Sequence, residues 1–293
     1  MAREIWDSVS WEVCRGRTLG PAPFFVAGIV NVTPDSFYDG GQCAEVDAAT
    51  ARGLALLDQG ADILDIGGES TRPFSEPVSQ EVESARVLPV VRGILSARPD
   101  AVVSVDTTKA SVARDCLEAG ALIVNDVSAM EVDPQMLEIV SHFRPGYVLM
   151  HSLGRPRTMQ LEPRYDNVMD ELLRFFAAKL EILARAGLPE SRVVLDPGIG
   201  FGKTVEHNLE ILKNICKLFE FGRPVYMALS NKSLWGSLLG REGRDRNAAT
   251  LAATVALYER GVRIHRVHEV REIRDGLRVA QILEKGISGE LGC

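Results

Sequence analysis

The sequence lacks the segments that would send a protein into or across a membrane. No apolar stretch approaches the roughly 20 residues that a membrane helix needs. The opening segment, MAREIWDSVSWEV, contains acidic residues where a secretion signal would have a long apolar core. A cytoplasmic location is therefore expected.

Paired cysteines and an excess of basic residues are missing as well. The cysteines are odd in number, widely separated and without a C-x-x-C pair, at positions Cys14, Cys43, Cys116, Cys216 and Cys293. Such usage predicts reduced thiols and argues against a disulfide framework or a cysteine metal site. The formal net charge of −7 argues against non-specific nucleic-acid binding. An anionic ligand would therefore have to be held by local basic groups.

The sequence contains instead eight apolar runs, each ending in polar residues and followed by a helix-like amphipathic stretch. The runs are FFVAGIVN to Asn31, DILDIGGES to Glu69, AVVSVD to Asp106, LIVND to Asn125 and Asp126, GYVLMH to His151, RVVLD to Asp196, PVYMALS to Ser230 and IHRVH to His268. This alternation predicts parallel strands that are buried on both faces. Eight such units predict a closed (β/α)8 barrel, which typically takes about 250 residues.

The expected organisation is a single barrel with two short additions. In residues 1–23, Trp11, Val13 and Leu19 flank a polar RGRT segment, which predicts a hairpin that closes the barrel floor. The barrel is expected over residues 24–286 and a tail over residues 287–293. Glycines just past four of the helix-like stretches, where a left-handed residue is favoured, predict helix ends; they are Gly60, Gly120, Gly187 and Gly261.

Three strand-exit connections are long enough to be substrate-covering lids. They span residues 33–44, 67–78 and 152–164. The second carries GGESTRP, which combines glycine freedom, two hydroxyls, a proline and a guanidinium. Such a loop could hold an anion or a second substrate.

Carboxylate and amide side chains at strand ends form the first candidate site, because active sites of this fold lie at the C-terminal ends of the strands. Asp106 and Asp196 end two runs, and Asn125 lies between them in chain order. A carboxylate accepts paired hydrogen bonds from an N–H/NH2 edge, and an asparagine both donates and accepts. The set suits the edge of a flat heterocycle, although a helix-capping role stays open for Asp106.

Lys232, Arg266 and His268 supply positive charge at the last two strand exits. They would balance a diphosphate, since lysine acts as a mobile point charge and arginine as a planar fork. A single basic residue here would more often be a solvated surface charge. A Schiff-base role for Lys232 is the further alternative, but a neighbouring diphosphate would keep the amine protonated.

Seven segments resemble the dihydropteroate synthase family of folate biosynthesis. In order they are GIVNVTPDSFYDGG at 28–41, DIGGESTRP at 65–73, SVDTTK at 104–109, IVND at 123–126, DPGIGFGK at 196–203, SNKS at 230–233 and RVH at 266–268. The resemblance covers nearly the whole chain. It implies a (β/α)8-barrel transferase, acting as a homodimer with Mg²⁺, that joins p-aminobenzoate to 6-hydroxymethyl-7,8-dihydropterin diphosphate, giving 7,8-dihydropteroate and diphosphate.

The resemblance also implies roles for the residues that bind the first substrate. The residues that match the family's pterin site are Asp106, Asn125, Asp196, Lys232 and Arg266. Those that match its diphosphate site are Asn31, Arg266 and His268, of which Asn31 would also bind Mg²⁺. Without the resemblance, Asn31 could equally be a turn-forming residue.

The second substrate and the reacting centre involve the loops. The resemblance implies that p-aminobenzoate is surrounded by Thr71, Arg72, Pro73, Phe201 and Ser233, and that Asp35, Arg72 and Lys232 act at the reacting centre. For Phe201, a plain packing role is an equal alternative.

The chain departs from the family pattern at the rim of the predicted site. Phe74 replaces the usual glycine after STRP, Asn231 replaces an arginine before Lys232, and Ser152 and Leu153 alter the strand-five exit. These departures make it uncertain how tightly the chain would bind p-aminobenzoate. Two alternatives stay open: a non-catalytic pterin-binding paralogue, and a methyltransferase domain that binds methyltetrahydrofolate. The methyltransferase domain should lack the TPDSF and ESTRP loops, which this chain has.

Overall fold

The computed structural model of the chain describes residues 8–33, 41–70, 75–154, 163–240 and 246–285. Two strands, β1 (Val9–Glu12) and β2 (Thr18–Ala22), form an antiparallel hairpin. A second sheet contains eight parallel strands: β3 (Phe25–Asn31), β4 (Ile63–Gly67), β5 (Val103–Asp106), β6 (Ile123–Asp126), β7 (Gly146–Met150), β8 (Val193–Asp196), β9 (Tyr226–Ala228) and β10 (Ile264–Val267).

The eight parallel strands close into a barrel. Their order is β8-β7-β6-β5-β4-β3-β10-β9, and a parallel bridge between Leu195 and Val225 joins the two ends of this order. Each strand lies within one of the eight predicted apolar runs. The predicted (β/α)8 barrel is therefore confirmed.

Helices surround the barrel: α1 (Gly41–Asp58), α2 (Gln80–Ala97), α3 (Ala110–Ala119), α4 (Met136–Phe143), α5 (Val168–Arg185), α6 (Val205–Lys213), α7 (Ser233–Leu239), α8 (Asn247–Glu259) and α9 (Val270–Lys285). The predicted helix ends are confirmed, since φ is positive at all four glycines: +96° at Gly60, +120° at Gly120, +83° at Gly187 and +101° at Gly261.

Two helical details differ from the sequence prediction. The helix-like stretch that follows the run to Asp196 covers residues 204–219 and predicts one helix. This prediction is wrong, because α6 ends at Lys213 and a 3-10 segment follows over Ile215–Phe221. The amide of Asn214 donates to the Glu210 carbonyl at 2.9 Å, and such side-chain bonds compete with helix continuation. The short helix α7 was not predicted, because it follows a polar SNKS segment that reads as a loop.

The hairpin closes the barrel floor, as predicted. Trp11 is 1% exposed and packs with residues from the N-terminal ends of the strands, among them Phe25, Ile63 and Ile264. Its indole N–H donates to the Arg192 carbonyl at 2.8 Å. These contacts hold the hairpin on the end opposite to the strand exits. The proposed boundaries at residues 23 and 286 stay predictions, and the tail at 287–293 lies outside the described residues.

The inside of the barrel changes from apolar to polar toward the strand exits. Ile63 belongs to the floor cluster, whereas Asp65, two residues later on the same face of β4, bonds to side chains of β5, β6 and β10. Side chains of strands that are not neighbours can meet only through the barrel interior. Charged groups are rarely buried without partners, so this polar layer marks the candidate site.

Two further predictions concern the chain as a whole. The cysteines Cys14, Cys116 and Cys216 are free, and Cys43 and Cys293 fall where side chains are not described; reduced thiols throughout the chain stay a prediction. Within the described residues, no helix has both the length and the apolar character needed to span a membrane.

Candidate active site

Arg266 is held between two buried carboxylates at the mouth of the barrel. Its Nε donates to Asp65 Oδ2 at 2.5 Å, and its Nη2 donates to Asp106 Oδ2 at 2.6 Å. Burial by itself would lower the pKa of Arg266, but the two carboxylates reverse this and raise it. The guanidinium is therefore charged and fixed. Asp106 is thereby engaged with Arg266, and α3 has no side-chain cap at its start, so the helix-capping alternative for Asp106 is wrong.

Three oxygen atoms at the strand exits have no hydrogen-bond partner among the described residues: Asp106 Oδ1, Asn125 Oδ1 and Asp196 Oδ2. Their residues are only 8%, 3% and 4% exposed. None of the three oxygens is among the fully buried polar atoms that lack a partner, so each of them is open to solvent. These oxygens are therefore available to a ligand that brings hydrogen-bond donors.

Asp196 is oriented by a tight turn. Its Oδ1 accepts from the Gly198 N–H at 2.7 Å. Gly198 has φ of +66°, and a Cβ there would lie 1.9 Å from the His151 carbonyl oxygen, so only glycine fits. Burial raises the pKa of Asp196 to about 6, opposed by the Gly198 N–H and by Lys232. Burial likewise raises the pKa of Asp106 to about 7, opposed chiefly by Arg266.

Lys232 lies between the Asp196 carboxylate and the apolar ring of Phe201. Its ammonium nitrogen lies 4.3 Å from the centroid of the Phe201 ring, and Phe201 packs with Val127 and Met150. Burial lowers the pKa of Lys232 to about 8, while the charge of Asp196 opposes that shift. Phe201 thus has a packing role together with a direct contact to a predicted site residue.

The remaining basic residue belongs to the exits of β9 and β10. His268 Nδ1 lies 2.9 Å from Ser230 Oγ, and the His268 backbone N–H donates to the same oxygen at 3.2 Å. Asn31 ends β3, which pairs with β10. The strand order therefore brings these two predicted diphosphate ligands to adjacent exits. Ser233 is the exposed first residue of α7, directly after Lys232.

Asp35, Thr71, Arg72, Pro73 and Phe74 lie outside the described residues. The base of the second loop is described, and Glu69 organises it: its carboxylate accepts from the Val78 N–H at 3.2 Å and pairs with Lys109. Lys109 also pairs with the buried Glu83. Glu69 therefore ties the two ends of this loop together.

The described departures from the family pattern lie at the rim. Asn231 has a left-handed backbone with φ of +57°, and its N–H donates to Thr250 Oγ1 at 3.3 Å. Leu153 is 38% exposed and packs against the backbone of Gly202. Within the described residues, neither has a hydrogen bond to the carboxylates that hold Arg266.

Sequence reasoning missed two residues of the site region. Asp65 stands in the middle of an apolar run, where only its charge signals a special role. Lys203 stands at the end of DPGIGFGK and is 3% exposed. Its ammonium lies 3.0 Å from His151 Nδ1 and donates to the Gly198 and Phe201 carbonyls, both at 3.0 Å. It therefore holds the turn after β8 against the β7 exit. Burial lowers its pKa to about 7.

The fold and site define a (β/α)8-barrel enzyme with acceptor oxygens at its strand exits beside a fixed positive charge. The model of the pterin binding enzyme family matches residues 27–268. The dihydropteroate synthase of Haemophilus influenzae is 38% identical over 256 residues, which cover 87% of this chain and 92% of that protein. The chain belongs to the pterin-binding enzymes and, among them, to the dihydropteroate synthases.

Solved structures agree. A Xanthomonas albilineans dihydropteroate synthase with 4-aminobenzoic acid is 41% identical with a TM-score of 0.88, and the match covers 95% of this chain and 99% of that one. A second structure from that organism, in complex with 7,8-dihydropteroate, is 39% identical with a TM-score of 0.85, covering 94% and 99% of the two chains.

Proposed function

We propose that the chain condenses 6-hydroxymethyl-7,8-dihydropterin diphosphate with p-aminobenzoate to give 7,8-dihydropteroate and diphosphate. The observation that carries this proposal is the set of three partnerless acceptor oxygens beside two cations. A dihydropterin presents N–H and NH2 donors along its edge and a carbonyl oxygen as an acceptor. Asp106, Asn125 and Asp196 match the donors, and Lys232 matches the carbonyl. Membership of the dihydropteroate synthases supports the same reaction.

Arg266 would serve both halves of the first substrate. Its guanidinium is fixed by Asp65 and Asp106, and a planar guanidinium can stack on a ring while its remaining N–H groups face an anion. His268, from the same strand exit, would add hydrogen-bonding capacity toward the diphosphate.

Asn31 would hold a Mg²⁺ ion together with the diphosphate. No group of three or more His, Cys, Asp or Glu side chains within the described residues could form a metal cage. A single amide oxygen fits Mg²⁺, which keeps several waters and takes its other ligands from phosphates. When bound, the ion would offset negative charge on the diphosphate.

The second substrate would lie against Phe201 and Ser233, with Thr71, Arg72 and Pro73 around it. Phe201, which packs with Val127 and Met150, would provide an apolar contact for the aromatic amine. Ser233 and Arg72 would hold the carboxylate. Asp35 would belong to the loop that covers the reacting centre.

The reaction requires no strong base. The neutral amine of p-aminobenzoate attacks the methylene carbon, the bond from that carbon to the diphosphate oxygen breaks, and the amine nitrogen then releases a proton to water. Catalysis therefore depends mainly on stabilising the diphosphate as it leaves, and Arg266 and His268 would stabilise its growing negative charge. Lys232, at the boundary between the two subsites, would keep its positive charge close to the pterin carbonyl.

The chain would work in the cytoplasm as a homodimer. The described surface of α9 supports association, because Val279, Ile282 and Leu283 are 55%, 41% and 81% exposed on one helix. Light scattering after size-exclusion chromatography measures the mass directly. A monomer at micromolar concentration would contradict the dimer without affecting the reaction.

A single assay tests the function. Purified protein is incubated with both substrates and Mg²⁺, and 7,8-dihydropteroate is quantified by chromatography. Product that depends on both substrates and disappears in the Lys232→Met variant supports the proposal. Pterin binding without product would identify a non-catalytic paralogue, and binding of methyltetrahydrofolate alone would favour a methyltransferase domain.

A further inference from the structure

Asp65, on β4, is hydrogen-bonded to side chains of three other strands of the barrel: β5, β6 and β10. Its side chain is fully buried. Ser104 Oγ donates to Oδ1 at 2.6 Å, Asn125 Nδ2 donates to Oδ2 at 3.0 Å, and Arg266 Nε donates to the same Oδ2 at 2.5 Å. A buried carboxylate with three donors has one orientation, and it imposes orientations on its donors.

The consequence is greatest for Asn125, because an asparagine amide can present either its oxygen or its NH2 group to a ligand. Asp65 Oδ2 is an acceptor in this structure, since it already accepts from Arg266 Nε. Asn125 must therefore turn Nδ2 toward it, and a reversed amide would bring two oxygens together while leaving an N–H without an acceptor. Oδ1 of Asn125 has no partner among the described residues, so this oxygen is offered to the ligand.

We propose that Asp65 is a positioning residue that sets the donor and acceptor pattern of the pocket. By accepting from Asn125, it makes that residue an acceptor toward the ligand. The pocket thereby selects a ring with a 2-amino group over the same ring with a 2-oxo group. This inference rests on the proposed function, since it assumes that the ligand in this pocket is a pterin.

The same carboxylate acts on Arg266. Because Asp65 takes Nε and Asp106 takes Nη2, the inner edge of the guanidinium is occupied, and the remaining N–H groups are left for an anion. Asp65 thus orients both Asn125, which would bind the ring, and Arg266, which would bind the diphosphate, without contacting the ligand itself.

Binding of two ring analogues tests the proposal without turnover. Calorimetry gives the dissociation constants of 6-hydroxymethylpterin, which has the 2-amino group, and 6-hydroxymethyllumazine, which has a 2-oxo group. The wild-type protein is expected to prefer the pterin. In Asp65→Ala the Asn125 amide is free to turn and to donate to the 2-oxo group, so the preference should fall by about tenfold or more.

Two matched variants separate orientation from burial. In Asp65→Asn the amide oxygen can still accept from Asn125 and Arg266, while the amide NH2 donates to the Ser104 hydroxyl; the preference should stay within about threefold of wild type. Ser104→Ala removes one bond to Asp65 without touching Asn125, and it should likewise keep the preference. A loss in either variant as large as in Asp65→Ala would overturn the proposal.

The remaining outcomes are also decisive. An unchanged preference in folded Asp65→Ala would overturn the positioning role while leaving the proposed function intact. A wild-type protein that binds neither ring would refute the proposed function. If Asp65→Ala does not fold, neutron diffraction of the wild-type protein with 6-hydroxymethylpterin locates the deuterons of Asn125. They must point toward Asp65, and an Asn125 NH2 turned toward the 2-amino group would overturn the proposal.

Discussion

The ammonium of Lys232 lies 4.3 Å from the centre of the Phe201 ring. A residue predicted to bind the pterin is therefore in direct contact with a residue predicted to line the p-aminobenzoate subsite. A cation over an aromatic face is attracted by about 0.5 to 2 kcal/mol. The ring therefore positions the Lys232 charge, which is predicted to lie between the pterin and p-aminobenzoate subsites.

Replacing Phe201 tests this link. Phe201→Leu keeps apolar contact with Val127 and Met150 but removes the aromatic face. We expect the KM for p-aminobenzoate to rise by about 3- to 30-fold, which corresponds to the cation–π energy, with a smaller change in pterin affinity. Phe201→Tyr, the matched control, should stay within about threefold of wild type. Equal kinetics of the Leu and Tyr variants would show that the contact has no role.

Pterin affinity should fall at acidic pH. Burial raises the pKa of Asp196 to about 6 and that of Asp106 to about 7, and a protonated carboxyl loses the acceptor that the ring needs. Both pKa values lie above those of an unfolded chain. The same two groups therefore stabilise the ligand-free fold as the pH falls through 7 and 6, while they weaken binding.

Calorimetry with 6-hydroxymethylpterin from pH 8 to pH 5 measures the decline, which approaches about tenfold per pH unit for each protonating group. Asp196→Asn should weaken binding by about 5- to 150-fold at pH 8 and remove one titration step. Affinity that does not change with pH, or an Asn variant that binds like wild type, would contradict the assignment of Asp196.

His265 should limit stability in acid. It is 1% exposed on β10, and neither ring nitrogen has a hydrogen bond of good geometry within the described residues. Burial, followed by the charge of Arg263, lowers its pKa to about 3, although a backbone interaction with Val262 opposes the shift. An unfolded histidine takes up a proton near pH 6.5, whereas the folded one does not. The folded state therefore loses stability as the pH falls from about 6.5 toward 3.

His265→Leu should remove this loss. The variant is expected to gain about 1 to 2 kcal/mol at pH 8, because an unsatisfied buried group disappears. Its advantage should grow by about 1.4 kcal/mol per pH unit below pH 6. Urea unfolding at pH 8, 6 and 5 provides the values, with the exposed His142→Gln as the control. Parallel stability curves for wild type and His265→Leu would disprove the explanation.

Binding of p-aminobenzoate should depend on Mg²⁺ and diphosphate. The cations described at the mouth, together with Asn31, would bind the diphosphate first and give the glycine-containing loops a charged partner. Coupling between ligands commonly amounts to about 5- to 150-fold in affinity. Calorimetric titration of p-aminobenzoate with and without Mg²⁺ and diphosphate checks this, with sulfate replacing diphosphate as the control. Equal affinity under all conditions would exclude ordered assembly.

The sequence by itself determined the barrel and most of its mouth. Runs such as AVVSVD and RVVLD are long enough and apolar enough to be parallel strands, and parallel strands of one barrel all end at the same rim. Asp106 and Asp196 could therefore be assigned to one site without any distance, and the family motifs added roles for Lys232, Arg266 and His268. The short helix α7 and the break at Asn214 escaped prediction because local side-chain bonds, which periodicity does not reveal, decide them.

Only the tertiary structure decided which atoms of the site are occupied and which are available. Asp65 stands inside an apolar run, and its partner Arg266 lies 201 residues further along the chain. Barrel closure brings the two together, so that the buried Asp65 carboxylate pairs with Arg266 and orients it. The role of Lys203 likewise depends on the tertiary structure, because Lys203 contacts His151 only when the turn after β8 folds back onto the β7 exit. A sequence states which side chains reach the mouth, but hydrogen bonds between distant strands determine which way each of them faces.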